Sequence, residues 1–241
     1  MADNQFPNDA KRGIEPFSPF VSEERRQGTG KPLSLRGYSL ALTSLLFAGF
    51  FVMGACASLF GNVDFLLLVI QHYGAFSILS FVGSIAGIFM MSSAKRSQSV
   101  GLSLAGFGVF ALTFGFMTSI VLLQYPVATI STAFMATAGI TVVFACLGVA
   151  FPQVFTKVRG VLGACLLGLI VVELVMMLLR VDQGIVDFAV IAVFCGFIGY
   201  DFHKAMYDEP TLVNAVYNAS ELFLDVLNVF VRILSILGRR D

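Results

Sequence analysis

Asp201 and Asp225 are the residues best placed to do chemistry, because each sits in an otherwise apolar stretch. An ionisable group inside a membrane span is costly and faces the protein interior or a water cavity, which makes it a functional candidate by default. Glu221, Asp225, Asn228 and Arg232 are spaced i, i+4, i+7 and i+11, so they share one face of a helix, with Phe223, Leu227, Phe230 and Leu234 opposite. Asp201 ends the apolar run Phe188–Tyr200. If the chain turns back near residues 207–215, Asp201 and Asp225 stand ~9 and ~15 Å from the turn at 1.5 Å per residue, and their carboxylates could face each other. Paired carboxylates can activate a water held between them or offer hard oxygens to a cation. Two blander arrangements compete: an amphipathic helix lying in the interface with Asp225 in water, and a local Asp225–Arg232 ion pair. Glu173 is a further in-span acid with no evident partner, and His203 and His72 lie nearer the span ends.

The elements that must hold these residues are membrane helices. The 241 residues are 57% hydrophobic and 12% charged, about half the charge of an ordinary soluble domain. No Asp, Glu, Lys or Arg occurs from Ser97 to Thr156, a run too long for one crossing of ~20 residues. This composition excludes a soluble globule, a nucleic-acid binder and a disordered chain. Runs such as Leu66–Ile70 do not alternate in polarity, so a membrane barrel is excluded as well. The expectation is an all-α, polytopic seven-helix bundle in a lipid bilayer.

Residues 1–37 form a polar, proline-bearing arm that cannot bury enough apolar area to fold alone, and residues 38–241 form the transmembrane domain. Seven segments are predicted, at roughly 38–60, 66–92, 100–124, 127–150, 160–180, 185–206 and 216–238. Assigning Lys95 and Arg96, Lys157 and Arg159, and Lys204 to connections places eleven basic residues, arm included, on one side. The positive-inside rule then puts the N-terminus in the cytoplasm. Arg239 and Arg240 dissent, which would suit a shallow or re-entrant last segment. Gly83 and Gly87 form a GxxxG face, and Ala133, Thr137 and Thr141 form a small stripe whose hydroxyls could bond across helices. The four cysteines, Cys56, Cys146, Cys165 and Cys195, lie in apolar stretches and read as packing residues.

Three stretches carry a resemblance: Ser131–Ala138 (STAFMATA), Phe194–Asp201 (FCGFIGYD) and Glu221–Asn228 (ELFLDVLN). In order, segment number and aspartate spacing they resemble the Bax inhibitor family, the transmembrane BAX inhibitor motif proteins. The resemblance covers the chain from about residue 38 onward. It implies a seven-helix protein in which Asp201 and Asp225 form a pH-sensing pair that controls a calcium leak. It also implies an inner (plasma) membrane location for a bacterial member, a membrane protease or cell-death factor as a partner, and a role in stress response. Family members often follow Tyr–Asp with Thr–Gln, where this chain has Phe202–His203. Some also close the pore with a basic residue of the second span, which reads here without Lys or Arg.

On this reading the protein is not an enzyme and needs no cofactor beyond Ca2+ as bound or transported ion. Calcium takes six to eight oxygen ligands; Asp201 and Asp225 would supply some, with Glu221, Asn228 and water supporting, and Arg232, His203 and Glu173 as further polar neighbours. Two alternatives stand beside it. One is a non-conducting regulator bound to another membrane protein. The other is an intramembrane aspartyl protease, whose second motif Gly-x-Gly-Asp is absent because Phe223 and Leu224 precede Asp225.

Overall fold

The structure, a computed structural model, describes residues 32–181 and 184–239. Among them it is all helix: α1 (Leu35–Leu59), α2 (Val63–Gln71), α3 (Tyr73–Ser97), α4 (Val100–Leu122), α5 (Val127–Ala150), α6 (Pro152–Leu179), α7 (Gly184–Tyr207) and α8 (Leu212–Gly238). Six of these, α1 and α3 to α7, are long and apolar enough to cross a bilayer. The expected polar arm lies outside the described residues up to residue 31.

Local signals explain the boundaries. Ser34 caps α1 by accepting from the Gly37 amide at 3.1 Å, so the helix starts inside the stretch expected to be arm. Asn62 caps α2 in the same way at Asp64, 2.9 Å away. The predicted second segment is two helices, because His72 leaves helical geometry (φ −115°, ψ 28°) and ends α2. Helix α6 begins at Pro152 rather than near residue 160, since proline at the first helical position loses no internal hydrogen bond. Lys157 and Arg159 therefore lie on α6, Lys95 and Arg96 in the last turn of α3, and Lys204 in the last turn of α7. All five thus lie on helices rather than in connections.

Short connections make successive long helices alternate in direction. The rings of Phe60, Phe65, Phe76 and Phe116 meet at 5.4–6.4 Å and gather the end of α1, α2, the start of α3 and α4 at one end of the bundle. At the other, the arm end, the Leu33 amide donates to Pro210 O at 2.6 Å and Pro32 bridges Thr211.

The last helix, α8, is not among the six apolar candidate spans and is central to the bundle. It is buried from Val213 to Leu234 and separates two apolar clusters. Phe223, Leu227, Phe230 and Leu234, the predicted apolar face, pack on Met53, Met91, Phe107 and Phe110 of α1, α3 and α4. Val226 and Val229 pack on Val190, Phe194, Cys195 and Ile198 of α7. Outward-facing Phe47, Phe51, Phe81, Phe89 and Leu178 are exposed, an apolar exterior suited to lipid.

Glycines set the closest approaches. A Cβ on Gly87 would sit 2.8 Å from Gly106 O, and one on Gly83 would sit 2.5 Å from Thr113 Cγ2, so the GxxxG face is the α3–α4 contact. The Thr137 hydroxyl does not bond across helices; it donates to Ala133 O of its own helix at 2.8 Å. Cross-helix hydroxyl bonds are made instead by Ser84 with Thr113 (3.0 Å) and by Ser119 to Met53 O (3.0 Å). Cys56 and Cys195 are buried, Cys146 and Cys165 exposed, and all four are free thiols.

Candidate functional site

The α7–α8 contact brings Asp201 and Asp225 together. Each lies on the inner face of its helix, 8% and 5% exposed, and the two carboxyl groups are close enough to interact directly. A hydrogen bond between two carboxyl groups would need a proton on one of them, because an ionised carboxylate can only accept. Asp225 Oδ2 is buried with no hydrogen-bond partner, which leaves an oxygen available to a proton, water or cation. Helix α7 can press on its neighbours here because of small residues. A Cβ on Gly148 of α5 would collide with the Gly199 carbonyl, and one on Gly199 would collide with the Phe155 ring of α6.

One turn nearer the arm end, Lys204 of α7 and Glu221 of α8 form an ion pair. Glu221 also bonds the Tyr217 hydroxyl. The Tyr217 ring is flanked by two ammonium groups, with Lys95 4.7 Å and Lys204 5.0 Å from its centroid. Farther toward the arm, Lys95 pairs with Asp208 at 3.2 Å. Asn218 Nδ2 donates to Asp208 Oδ2 at 3.1 Å and to the Tyr38 hydroxyl at 2.8 Å. This network ties α1, α3, α7 and α8 together. The predicted second segment, 66–92, holds no Lys or Arg; Lys95 follows it in the last turn of α3, and its partner is Asp208 rather than either member of the aspartate pair.

At the opposite end, Arg232 reaches Glu173 of α6 at 2.7 Å and Asp187 of α7 at 2.9 Å. Asp187 also receives Ser235 at 3.1 Å and pairs with Arg239. Arg232 therefore serves α6 and α7 rather than Asp225, and Glu173 has a partner after all. Arg239, the dissenting C-terminal charge, is neutralised by an acid. Asn228 donates to Leu224 O of its own helix at 2.8 Å, and His203 packs on the Tyr207 ring at 4.6 Å.

Of the residues singled out in the sequence, Asp201, Asp225 and Glu221 are thus gathered at one place, while Glu173 and Arg232 form a separate cluster. Asp187, Asp208, Asn214, Asn218 and Tyr38 were not singled out. An unbalanced count of bases at the C-terminus was the signal that could have pointed to Asp187.

Comparison with known proteins agrees with this architecture. An uncharacterized membrane protein of Streptococcus pyogenes serotype M1 is 26% identical over 164 residues, covering 64% of this chain and 70% of that protein. The inner membrane protein YbhL of Escherichia coli K12 is 24% identical over 176 residues, covering 68% of this chain and 75% of YbhL. The family described as "Inhibitor of apoptosis-promoting Bax1" matches residues 34–241. This all-helical, multi-pass membrane protein belongs to the Bax inhibitor family.

Proposed function

We propose that the protein is a proton-regulated calcium leak, with its N-terminus in the cytoplasm and the Asp201–Asp225 pair as its proton sensor. The observation that carries this reading is the contact of two buried carboxyl groups across the α7–α8 interface. With one shared proton the pair clasps the two helices. When that proton leaves, two like charges in a low-dielectric bundle repel, and the helices part or recruit a cation. Two carboxylates offer part of the oxygen shell that calcium requires, and water completes it. Protons and calcium therefore compete, and the pair titrates as a unit.

Purified protein in calcium-loaded liposomes tests this. Efflux should depend on pH between roughly pH 5 and 8, and Asp201→Asn and Asp225→Asn should each flatten that dependence while the protein still folds. Two Asn variants with a wild-type pH profile would refute the paired-aspartate mechanism. No efflux at any pH would favour the non-conducting regulator, and cleavage of a helical peptide would favour the protease.

A further inference from the structure

The aspartate pair has a charged neighbour layer whose two members belong to the same two helices. On α7, Lys204 follows Asp201 by three residues; on α8, Glu221 precedes Asp225 by four. At 1.5 Å per residue, the ion pair lies ~4.5–6 Å from the carboxyl pair along the helix axes, on its arm side. Both side chains are partly exposed, 22% for Lys204 and 27% for Glu221, whereas both aspartates are buried. Water at the arm end therefore meets the ion pair before it meets the aspartates.

Few other charges reach the pair. Lys204, Glu221 and the Arg159 guanidinium of α6, which lies 5.1 Å from the Tyr200 ring centroid, act electrostatically on Asp201. On Asp225 the acting groups are Asp201, Glu221 and Lys204. Helices α4 and α5 carry no charged residue, and α1 carries only Arg36. On α3, Lys95 is occupied by Asp208, and Arg96 follows it in the last turn. The titratable Tyr217 hydroxyl bonds Glu221 rather than either aspartate.

We infer that the Lys204–Glu221 ion pair is a positioning element that sets the pH at which the Asp201–Asp225 pair releases its shared proton. The inference rests on the shared-proton reading above. Lys204 favours loss of the proton and Glu221 opposes it, and while they are bound to each other their fields nearly cancel at the aspartates. Removing one member exposes the field of the other. Lys204→Met leaves Glu221 uncompensated, which raises the release midpoint. Glu221→Gln leaves Lys204 uncompensated, which lowers it. With an effective dielectric of about 20 and partial screening by water, a unit charge at this spacing moves a midpoint by about one pH unit. A merely structural bridge would make both losses act in the same direction.

The experiment is the pH dependence of thermal unfolding of the full chain in detergent, a readout that needs no calcium, alongside efflux from calcium-loaded liposomes. Wild type should show a step with pH that Asp225→Asn removes. Lys204→Met should shift its midpoint up and Glu221→Gln down, each by about one unit. The double variant Lys204→Met/Glu221→Gln, with no net change in local charge, should return close to wild type, and it remains informative if a single variant fails to fold. A double variant whose midpoint differs from wild type by a unit or more overturns the inference. So do single variants that leave the midpoint in place or move it the same way, in a protein whose wild-type step is intact. A wild type with no step that Asp225→Asn removes overturns the shared-proton reading and this inference together, whereas a normal step without calcium efflux overturns only the leak.

Discussion

Arg232 donates to Asp187 across 2.9 Å at the end of α7 and α8 remote from the aspartate pair, and the Asp187 side chain is only 2% exposed. The same two helices are therefore held at one end by this ion pair and nearer the other by the aspartate pair together with Lys204 and Glu221. The ionic end also holds α6, whose inner surface is slight: Phe155 is its one buried residue among those described.

Removing one member of a buried ion pair costs about 3–5 kcal/mol, because the other charge stays desolvated. Arg232→Met should come close to the lower figure, since Arg239 and Ser235 still serve Asp187. Glu173→Gln should cost less, because the Glu173 side chain is 21% exposed and Arg232 keeps Asp187. Thermal unfolding in detergent at neutral pH ranks the two. An equal loss from both would show that the cluster is not organised around Asp187.

Helix α5 can approach α7 only while residue 148 lacks a side chain. Gly148→Ala should destabilise by about 1–3 kcal/mol, the usual cost of overpacking, because its Cβ would meet backbone that cannot rotate away. Gly139→Ala and Gly160→Ala have nothing within 4 Å of the new methyl and should be neutral or slightly stabilising. Melting temperatures of the three variants decide the matter, and a harmless Gly148→Ala would mean that the α5–α7 spacing is wrong.

The aspartate pair should also show itself in a crossover of stability with pH. Above about pH 4, separated aspartates of the unfolded chain are ionised, while the folded pair keeps one proton. The folded state then binds more protons than the unfolded state, so stability falls as pH rises. Asp225→Asn removes the repulsion and should melt above wild type at pH 8, with the difference shrinking toward pH 5. Parallel melting curves across that range would count against proton sharing.

The strap at the arm end gives a truncation prediction. A chain lacking residues 1–31 should insert and remain monodisperse in detergent. A chain lacking residues 1–34 loses the Leu33 bond to Pro210 and the Ser34 cap, and should be less stable by about 1–2 kcal/mol. Size-exclusion profiles and melting temperatures of the two truncations test this, and identical behaviour would leave the strap without a stabilising role.

Composition and periodicity were sufficient for the membrane class, the helix count to within one break, and the two faces of α8, because a bilayer demands long apolar helices and penalises in-span charge. The aspartate pair was legible too, since a short turn fixes the relative depth of two antiparallel helices. Partner choice was not. Arg232 lies two turns from Asp225 on one helix, and only the crossing of α6 and α7 decides that it answers Glu173 and Asp187 instead. The break at His72 has no proline to announce it. The central place of α8 was equally hidden, because its three in-span charges mimic an interfacial helix until neighbours on each side supply their partners. Spacing along a chain limits which residues can share a face or a depth, but which faces meet is settled by the packing of whole helices.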